Sequence, residues 1–278
     1  MAKEDPEFGV DLDFLPPQDL WQAIEPLLPE EPPKPKGGRP RTEDRKAFCA
    51  IFYLLRTGLQ WKALPRSMGA SSTVHDRFQQ WVEAGIFERF WTSGLIEYDV
   101  RKGLEWSWQS LDGAMTKAPL GGEDTGPNPT DRGKKGVKRH LLTEGNGLPI
   151  GLVVTGANRQ DKTQVDQVLS TMPLAPPIPT LEDPQHFCGD KGFDYPDVRS
   201  LIGAWGYTDH IKSRGEEQTD LLKVPGYRAR RWVVERTHSW LNRFRRLLIR
   251  WEKKVPNYTA LLHLAFAFIC FRSAGVFG

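Results

Sequence analysis

The chain has few cysteines, and their positions exclude both a disulfide framework and a thiolate metal site. Three cysteines occur in 278 residues, at positions 49, 188 and 270, without metal-ligand spacing. An odd number of distant cysteines favours reduced structural thiols, which are typical of cytosolic proteins. No apolar run reaches the roughly 18 residues of a membrane span, and the first residues are acidic. We therefore expect a cytoplasmic protein without a signal peptide.

Charge is unevenly distributed, although the net charge is only +3. Residues 1–31 contain nine acidic residues and one lysine, whereas basic residues cluster at 34–46, 132–139 and 228–254. The last cluster lacks glycine and proline, contains ten basic and two acidic residues, and has apolar residues at helical spacing, which predicts one long basic helix. Three basic clusters favour nucleic-acid contact over the alternative of solvated surfaces.

The N-terminal third is predicted to be helical after a linker. Residues 1–41 combine an acidic segment, a short helix and a basic linker rich in proline and glycine. The GGRPR end of the linker resembles basic arms that lie in a DNA minor groove, and a linker without base contacts is the alternative. Residues 42–102 show amphipathic helical patterns, and the helix from Ser71 fits the second helix of a helix-turn-helix module. A helical bundle for dimerisation is the alternative.

Residues 103–254 are predicted to form a mixed sheet with helices on its faces. Alternating residues predict a first strand that ends at Asp112. Asn-Gly between the alternating runs at 137–155 predicts a hairpin. A short apolar strand ends at Asp190, and a helix, a strand and the basic helix follow. This order matches the RNase H-like fold. The predicted class is α/β (mixed), an RNase H-like core preceded by an all-α helix-turn-helix-like domain, with 255–278 as an apolar helix packing on the core.

Three carboxylates occupy similar settings in this arrangement. Asp112 and Asp190 each follow a predicted strand, and Glu235 lies near the start of the basic helix. Their separation along the chain excludes a local calcium loop and favours a site gathered from neighbouring elements of one sheet. Carboxylate oxygens are the hard ligands that hold two Mg²⁺ ions in phosphodiester chemistry. For Glu235 alone, a salt bridge to a neighbouring arginine is the alternative.

Several motifs resemble those of DDE transposases of bacterial insertion sequences, specifically the IS5 family. Four segments of the second half carry the resemblance, SLDGAMTKAP, GPNPTDRGKKGVKRHLLTEGNGLPIGLVVTGANRQD, CGDKGFDY and RWVVERTHSWLNRFRRLLIRWEKK. The N-terminal stretch, from GGRPRTEDRKAFCAIFYLLRTGLQWKALP to STVHDRFQQWVEAGIFERFW, is similar to the helical domain that precedes catalysis in that family. The match extends from about residue 18 to residue 270, in the expected order.

The resemblance implies that Asp112, Asp190 and Glu235 are catalytic residues that hold two Mg²⁺ ions, with Mn²⁺ as a substitute. It implies an enzyme of the bacterial cytoplasm, associated with the nucleoid, that binds double-stranded DNA at terminal inverted repeats. Such an enzyme cleaves DNA strands with metal-activated water and joins the 3′-OH ends to target DNA, as a homodimer or larger assembly on DNA. The alternatives are a transposase-derived DNA-binding protein and an RNase H-like nuclease without strand transfer.

Polar and basic residues of the arm, the second helix, the loops and the basic helix are candidates for DNA contact. They are Lys36, Arg39, Arg41, Ser72, Thr73, His75, Arg77, Lys134, Lys135, Lys138, Lys191, Arg231, Arg236, Arg243, Arg245 and Arg246. Arg231 fits a family pattern of Tyr, Arg, Glu and Lys, whereas the Tyr and Lys positions hold Arg228 and Asn242. Asp161 is interpreted as either a fourth acid or a helix cap. His238, one turn after Glu235, either contacts the site, supports it indirectly through a neighbouring residue, or lies on the surface.

Overall fold

The computed structural model describes three parts of the chain, residues 4–30, 41–211 and 230–278. The chain folds into two compact units. One, the helical unit, combines Met1–Glu97 with Asn242–Gly278, and the other, the sheet unit, is Tyr98–Leu241. The helical unit therefore consists of two separate stretches of sequence. The predicted division at residues 102 and 254 contains no such discontinuous unit.

The N-terminal helices bury the apolar stripes that predict them. Their bounds are α1 Gln18–Ile24, α2 Asp44–Thr57, α3 Ser71–Glu83 and α4 Ile86–Lys102. Phe48, Phe78 and Phe90 are fully buried. Gly58 ends α2 with a positive φ of 76°, a left-handed conformation that glycine adopts without the steric cost of a Cβ.

The sheet unit is built on a mixed sheet with helices. Its strands are β1 Trp108–Lys117, β2 Gly126–Pro127, β3 Lys135–Glu144, β4 Pro149–Gly156, β5 Gln185–Gly189 and β6 Tyr207–Ile211. β1 is antiparallel to β3 and parallel to β5, and β6 is parallel to β5. Both β2 and β4 pair with the other edge of β3. The helices are α5 Val165–Ser170, α6 Pro196–Ala204 and α7 Trp232–Leu241.

This strand order confirms the predicted α/β (mixed) class and the RNase H-like core. An antiparallel set of three strands continues into two parallel strands, with β1 in the centre. The predicted hairpin is confirmed, with Gly145–Gly147 between β3 and β4. The predicted end of the first strand is wrong. Asp112 lies in the middle of β1, because β3 pairs with β1 as far as Lys117.

The predicted single basic helix from Arg228 to Lys254 is also wrong. α7 ends at Leu241, and a short 3-10 turn follows at Arg245–Leu247. Leu241 is the last residue of the sheet unit, whereas Phe244 is buried in the helical unit. The apolar residues before and after this point therefore belong to two different cores, and no single helix carries them.

The last helix, α8, spans Val255–Ser273 and belongs to the helical unit. Its Phe268 ring lies 5.5 Å from the ring of Phe52, and its Phe271 ring lies 5.3 Å from that of Phe90. These contacts correct the expectation that this helix packs on the catalytic core. Among the described helices, α8 alone is long and apolar enough to cross a membrane, and 61% of its apolar window is buried. Such burial is typical of a core helix.

Candidate active site

Asp112 is the centre of the candidate site. It lies on the central strand β1, with a side chain that is 35% exposed. Burial raises the pKa of its carboxyl group, a hydrogen bond from the backbone of Gly113 opposes that shift, and the charges of Asp190, Asp161 and Glu235 raise the pKa further. The sheet unit therefore brings four acidic side chains into one electrostatic neighbourhood.

Asp190 is positioned by the end of β5. The parallel pairing of β1 and β5, with Ser110 opposite Cys188, places Asp190 two residues beyond that pair, on the side of Asp112. Its carboxylate caps a 3-10 turn, because Oδ1 accepts a hydrogen bond of 2.8 Å from the backbone N–H of Gly192. This bond fixes the side chain while leaving it half-exposed.

Glu235 lies in the first turn of α7 and is 53% exposed. Arg231 Nη2 lies 3.5 Å from its Oε1, which is the salt bridge that the alternative interpretation expects. An exposed pair of this spacing stabilises a helix by only about 0.3–0.5 kcal/mol, so it leaves Glu235 available to other ligands. The same carboxylate also acts on Asp112, as the raised pKa of Asp112 shows.

His238 connects the helix to the strand. Its buried ring places Nε2 3.7 Å from Asp112 Oδ2, which is beyond hydrogen-bond distance. Burial, together with the charge of Arg139, lowers the pKa of His238 to about 3, so the imidazole is neutral at neutral pH. This histidine contacts the site, and the alternative of a surface position is wrong.

α7 is held in place by the β3–β4 turn. Thr237, which is fully buried, donates a hydrogen bond of 2.6 Å to the carbonyl of Gly147, and Arg236 Nη2 donates to the carbonyl of Asn146. Gly147 has a positive φ of 87°, a backbone conformation that glycine adopts without the steric cost of a Cβ. The buried carboxylate of Glu144 accepts three backbone hydrogen bonds and fixes the turn itself.

The chemistry of these donors fits a hard divalent cation, because all three predicted ligands are carboxylates. In the described parts of the chain, however, no three His, Cys, Asp or Glu side chains lie close enough together to hold a metal ion. The structure thus places Asp190 and Glu235 near enough for their charges to act on Asp112, but it does not bring the three carboxylates around one point. Their role as metal ligands stays a prediction.

The candidate DNA-contacting residues fall into three groups. Lys36 and Arg39 lie outside the described residues. Three others are buried and engaged within the protein, so the expectation of free DNA-facing side chains is wrong for them: Arg77 bonds to Thr42 and Asp44, Lys138 bonds to Asp161, and Arg246 bonds to Glu252. Exposed or half-exposed candidates are Arg41, Ser72, Thr73, His75, Lys134, Lys135, Lys191, Arg231, Arg236, Arg243 and Arg245.

Relatives of this chain are found among proteins of insertion sequences. A protein of Burkholderia cepacia described as "Putative transposase for insertion sequence element IS402" is 39% identical over 155 residues, which cover 54% of this chain and 69% of that protein. Another, described as "Insertion element IS402 uncharacterized 16.2 kDa protein", is 34% identical over 117 residues, which cover 40% of this chain and 78% of that protein.

Solved structures of Mos1 transposase show a weak likeness. The catalytic domain of Mos1 mariner transposase has 11% identity and a TM-score of 0.29, covering 68% of this chain and 93% of that one. The Mos1 mariner paired end complex with Mn has 13% identity and a TM-score of 0.28, covering 92% and 86%. Similarities at these TM-scores do not support a fold assignment, which depends here on the strand order of the sheet unit.

Two family models match the chain in sequence. "Putative transposase of IS4/5 family" matches residues 17–91, and "Transposase DDE domain" matches residues 109–270, more than half of the chain. The second match contains the sheet unit's central strand, the segment after β5 and α7, and therefore all three acids described above. The chain belongs to the family of transposases with a DDE domain, as a relative of the IS4/5 transposases.

Proposed function

We propose that this transposase cleaves DNA at the terminal inverted repeats of an insertion sequence and joins the freed 3′-OH ends to target DNA. The observation that carries the proposal is an RNase H-like sheet on which Asp112 is exposed to the charges of Asp190 and Glu235. Three acids from separate elements suit a site for phosphodiester chemistry rather than a structural salt bridge. Membership of the DDE family supports the same activity.

Asp112, Asp190 and Glu235 would hold two Mg²⁺ ions, with Mn²⁺ as a substitute. When bound, these ions supply the positive charge that stabilises the attacking and leaving oxygens of a phosphodiester. Arg231, four residues before Glu235 and 3.5 Å from its carboxylate, would bind a phosphate of the DNA beside the acids. The buried His238 ring, neutral because burial lowers its pKa to about 3, would limit the room beside Asp112 Oδ2, 3.7 Å away.

The exposed basic residues would bind the DNA backbone. Lys134, Lys135 and Lys191 lie on surfaces of the sheet unit, and Arg243 and Arg245 follow α7. Residues 42–102 would read the inverted repeats, with the exposed Ser72 and Thr73 at the start of α3. The transposase would act as a homodimer or larger assembly on DNA, in the bacterial cytoplasm at the nucleoid.

The test uses purified protein and labelled DNA that carries the ends of the insertion sequence. We expect strand cleavage and joined product in Mg²⁺, and neither in EDTA. Asp112→Asn, Asp190→Asn and Glu235→Gln should each reduce cleavage by a factor of about 10³ or more, because each removes a charged metal ligand. Glu182→Gln, which neutralises an exposed acid of the same unit, should behave as wild type.

Three outcomes would contradict the proposal. Cleavage without any joined product would identify a nuclease without strand transfer. Binding of the ends without cleavage in either metal would identify a transposase-derived DNA-binding protein. Unchanged cleavage in all three acid variants would show that the chemistry takes place elsewhere.

A further inference from the structure

Asp161 lies in a network that the three-acid site does not use. Its Oδ2 accepts a hydrogen bond of 3.0 Å from Lys138 Nζ, and its Oδ1 lies 3.1 Å from His140 Nδ1. His140 Nε2 in turn lies 2.8 Å from Thr155 Oγ1. Lys138 also donates to the carbonyl of Arg159, at 2.9 Å. The Asp161 carboxylate is thus bound through Oδ2, whereas Oδ1 is buried beside His140 without a hydrogen bond.

The network lies directly against the strand that carries Asp112. Gly113 pairs with His140 in the sheet, and a Cβ at Gly113 would overlap Asp161 Oδ1. The Asp161 carboxylate therefore packs on the backbone of β1 one residue after Asp112. The missing Cβ at Gly113 is what allows the Asp161 carboxylate to approach β1 this closely.

The other side of Asp161 leads to Asp190. Asp161 begins the 3-10 turn Asp161–Gln164, which contacts the 3-10 turn that Asp190 caps. Lys162 Nζ lies over the ring of Tyr195, 3.6 Å from its centroid, and ties the same two segments together. Asp161 does not cap this turn, because Gln160 holds the N-cap position. The helix-cap interpretation is therefore wrong.

We propose that Asp161 is a positioning residue that holds the strand of Asp112 and the turn of Asp190 at a fixed separation, and that it is not a metal ligand. Oδ2 is held by Lys138, and Oδ1 packs against Gly113 and lies 3.1 Å from His140 Nδ1, so a cation could bind this carboxylate only by displacing these neighbours. This proposal depends on the proposed function, since Asp161 would fix the relative positions of Asp112 and Asp190, two of the proposed metal ligands.

The first test needs neither metal nor DNA. Amide hydrogen exchange would be followed by mass spectrometry in the wild-type chain, Asp161→Asn and Glu182→Gln. We expect Asp161→Asn to speed exchange in segments 158–166 and 190–196, because the two turns lose their common anchor. Exchange in the hairpin at 137–156 should change little, and Glu182→Gln should match wild type throughout. Unchanged exchange in segment 190–196 would overturn the proposal.

The second test separates positioning from direct metal binding. Asp161→Asn and Lys138→Met should each lower the cleavage rate by about 10- to 100-fold, as expected when a residue that orients metal ligands is lost. Both should raise the Mg²⁺ concentration for half-maximal cleavage, while binding of the DNA ends in Ca²⁺ stays unchanged. The double variant should lose little more than either single variant, because both changes break one network.

Two results would count against a positioning role. A loss in Asp161→Asn as complete as in Asp112→Asn, with Lys138→Met active, would make Asp161 a ligand. Wild-type activity in both variants would make the network irrelevant to the reaction. If Asp161→Asn does not fold, Thr155→Val and Lys138→Met can replace it, because each removes one end of the network. The same hydrogen-exchange and cleavage criteria then apply to these two variants. Absence of cleavage by the wild-type chain would instead contradict the proposed function. The hydrogen-exchange experiment would still show whether Asp161 holds the segments 158–166 and 190–196 together.

Discussion

At the scale of single residues, His263 makes the helical unit sensitive to acid. Its ring stacks on Trp91 with centroids 4.9 Å apart and borders a cavity of about 140 Å³. Burial lowers the pKa of His263 to about 3, so the folded chain keeps it neutral. A histidine in the unfolded chain titrates near about 6.5. The stability that the neutral ring contributes is therefore complete above that pH and is lost as the pH falls towards 3.

We expect the free energy of unfolding of the wild-type chain to fall by about 1 kcal/mol more than that of His263→Gln between about pH 7 and pH 5.5. Urea unfolding at both pH values, followed by circular dichroism, measures the difference. His75→Gln, a change at a half-exposed histidine of the same unit, should keep the wild-type pH dependence. Equal pH dependence in the wild type and His263→Gln would show that this ring is protonated without cost.

The residues of the candidate site differ in how well the sequence predicts them. Asp190 stands out because it follows a short apolar strand, and Glu235 because it is an acid in a basic stretch. The strand end that singles out Asp112 is wrong, since β1 continues to Lys117. His238 could be named as a candidate because it lies one turn after Glu235, but its burial beside Asp112 is seen only in the structure. The engagement of Asp161 depends on Lys138 and His140 lying side by side on β3, beside Gly113 of β1, which only the strand pairing reveals.

At the scale of elements, α7 depends on its contact with the β3–β4 turn. The hydroxyl of Thr237 is buried and donates to the carbonyl of Gly147 at 2.6 Å, with the carbonyl of Val233 farther away at 3.1 Å. Replacing this side chain with valine preserves its shape but leaves the Gly147 carbonyl without its donor, which costs about 1–3 kcal/mol in a buried position. Because Glu235 lies two residues earlier on the same helix, the loss should also affect the candidate site.

We expect Thr237→Val to lower the melting temperature and to reduce DNA cleavage, whereas Thr237→Ser, which keeps the hydroxyl, should retain most of both. Thermal unfolding and the cleavage assay measure the two effects. Hydrogen exchange across residues 144–148 should increase in the valine variant only. If valine and serine give the same melting temperature, the hydrogen bond to Gly147 does not hold α7.

The broken basic helix shows where periodicity fails as a guide to elements. Apolar spacing continues through residues 241–248, so the pattern alone predicts one helix. In the structure, Arg246 turns back to pair with the buried Glu252 at 2.6 Å and donates to the carbonyl of Leu59. Tertiary contacts of this kind override local propensity, and no residue in the stretch signals the break.

At the scale of the whole molecule, the sequence predicts the order of elements better than their grouping. Sequential strands pair in common ways, so the RNase H-like order could be predicted from the hairpin and the following strands. The return of the chain to the helical unit after residue 241 could not be predicted from the sequence. α8 is apolar on nearly all sides, so its composition is compatible with the core of either unit. Only the partners of Phe268 and Phe271 reveal its unit.

The discontinuous helical unit leads to a prediction about fragments. Fragment 1–102 lacks α8, whose Phe268 and Phe271 contact Phe52 and Phe90. Phe271 is buried and Phe268 half-buried, and loss of one buried phenylalanine alone costs about 3–5 kcal/mol, against about 5–15 kcal/mol for a whole domain. We therefore expect fragment 1–102 alone to show no cooperative melting and no sharp near-ultraviolet circular dichroism. Joining residues 242–278 to its end through a glycine-serine linker should restore both, and cooperative melting of 1–102 by itself would show that α8 is dispensable to this core.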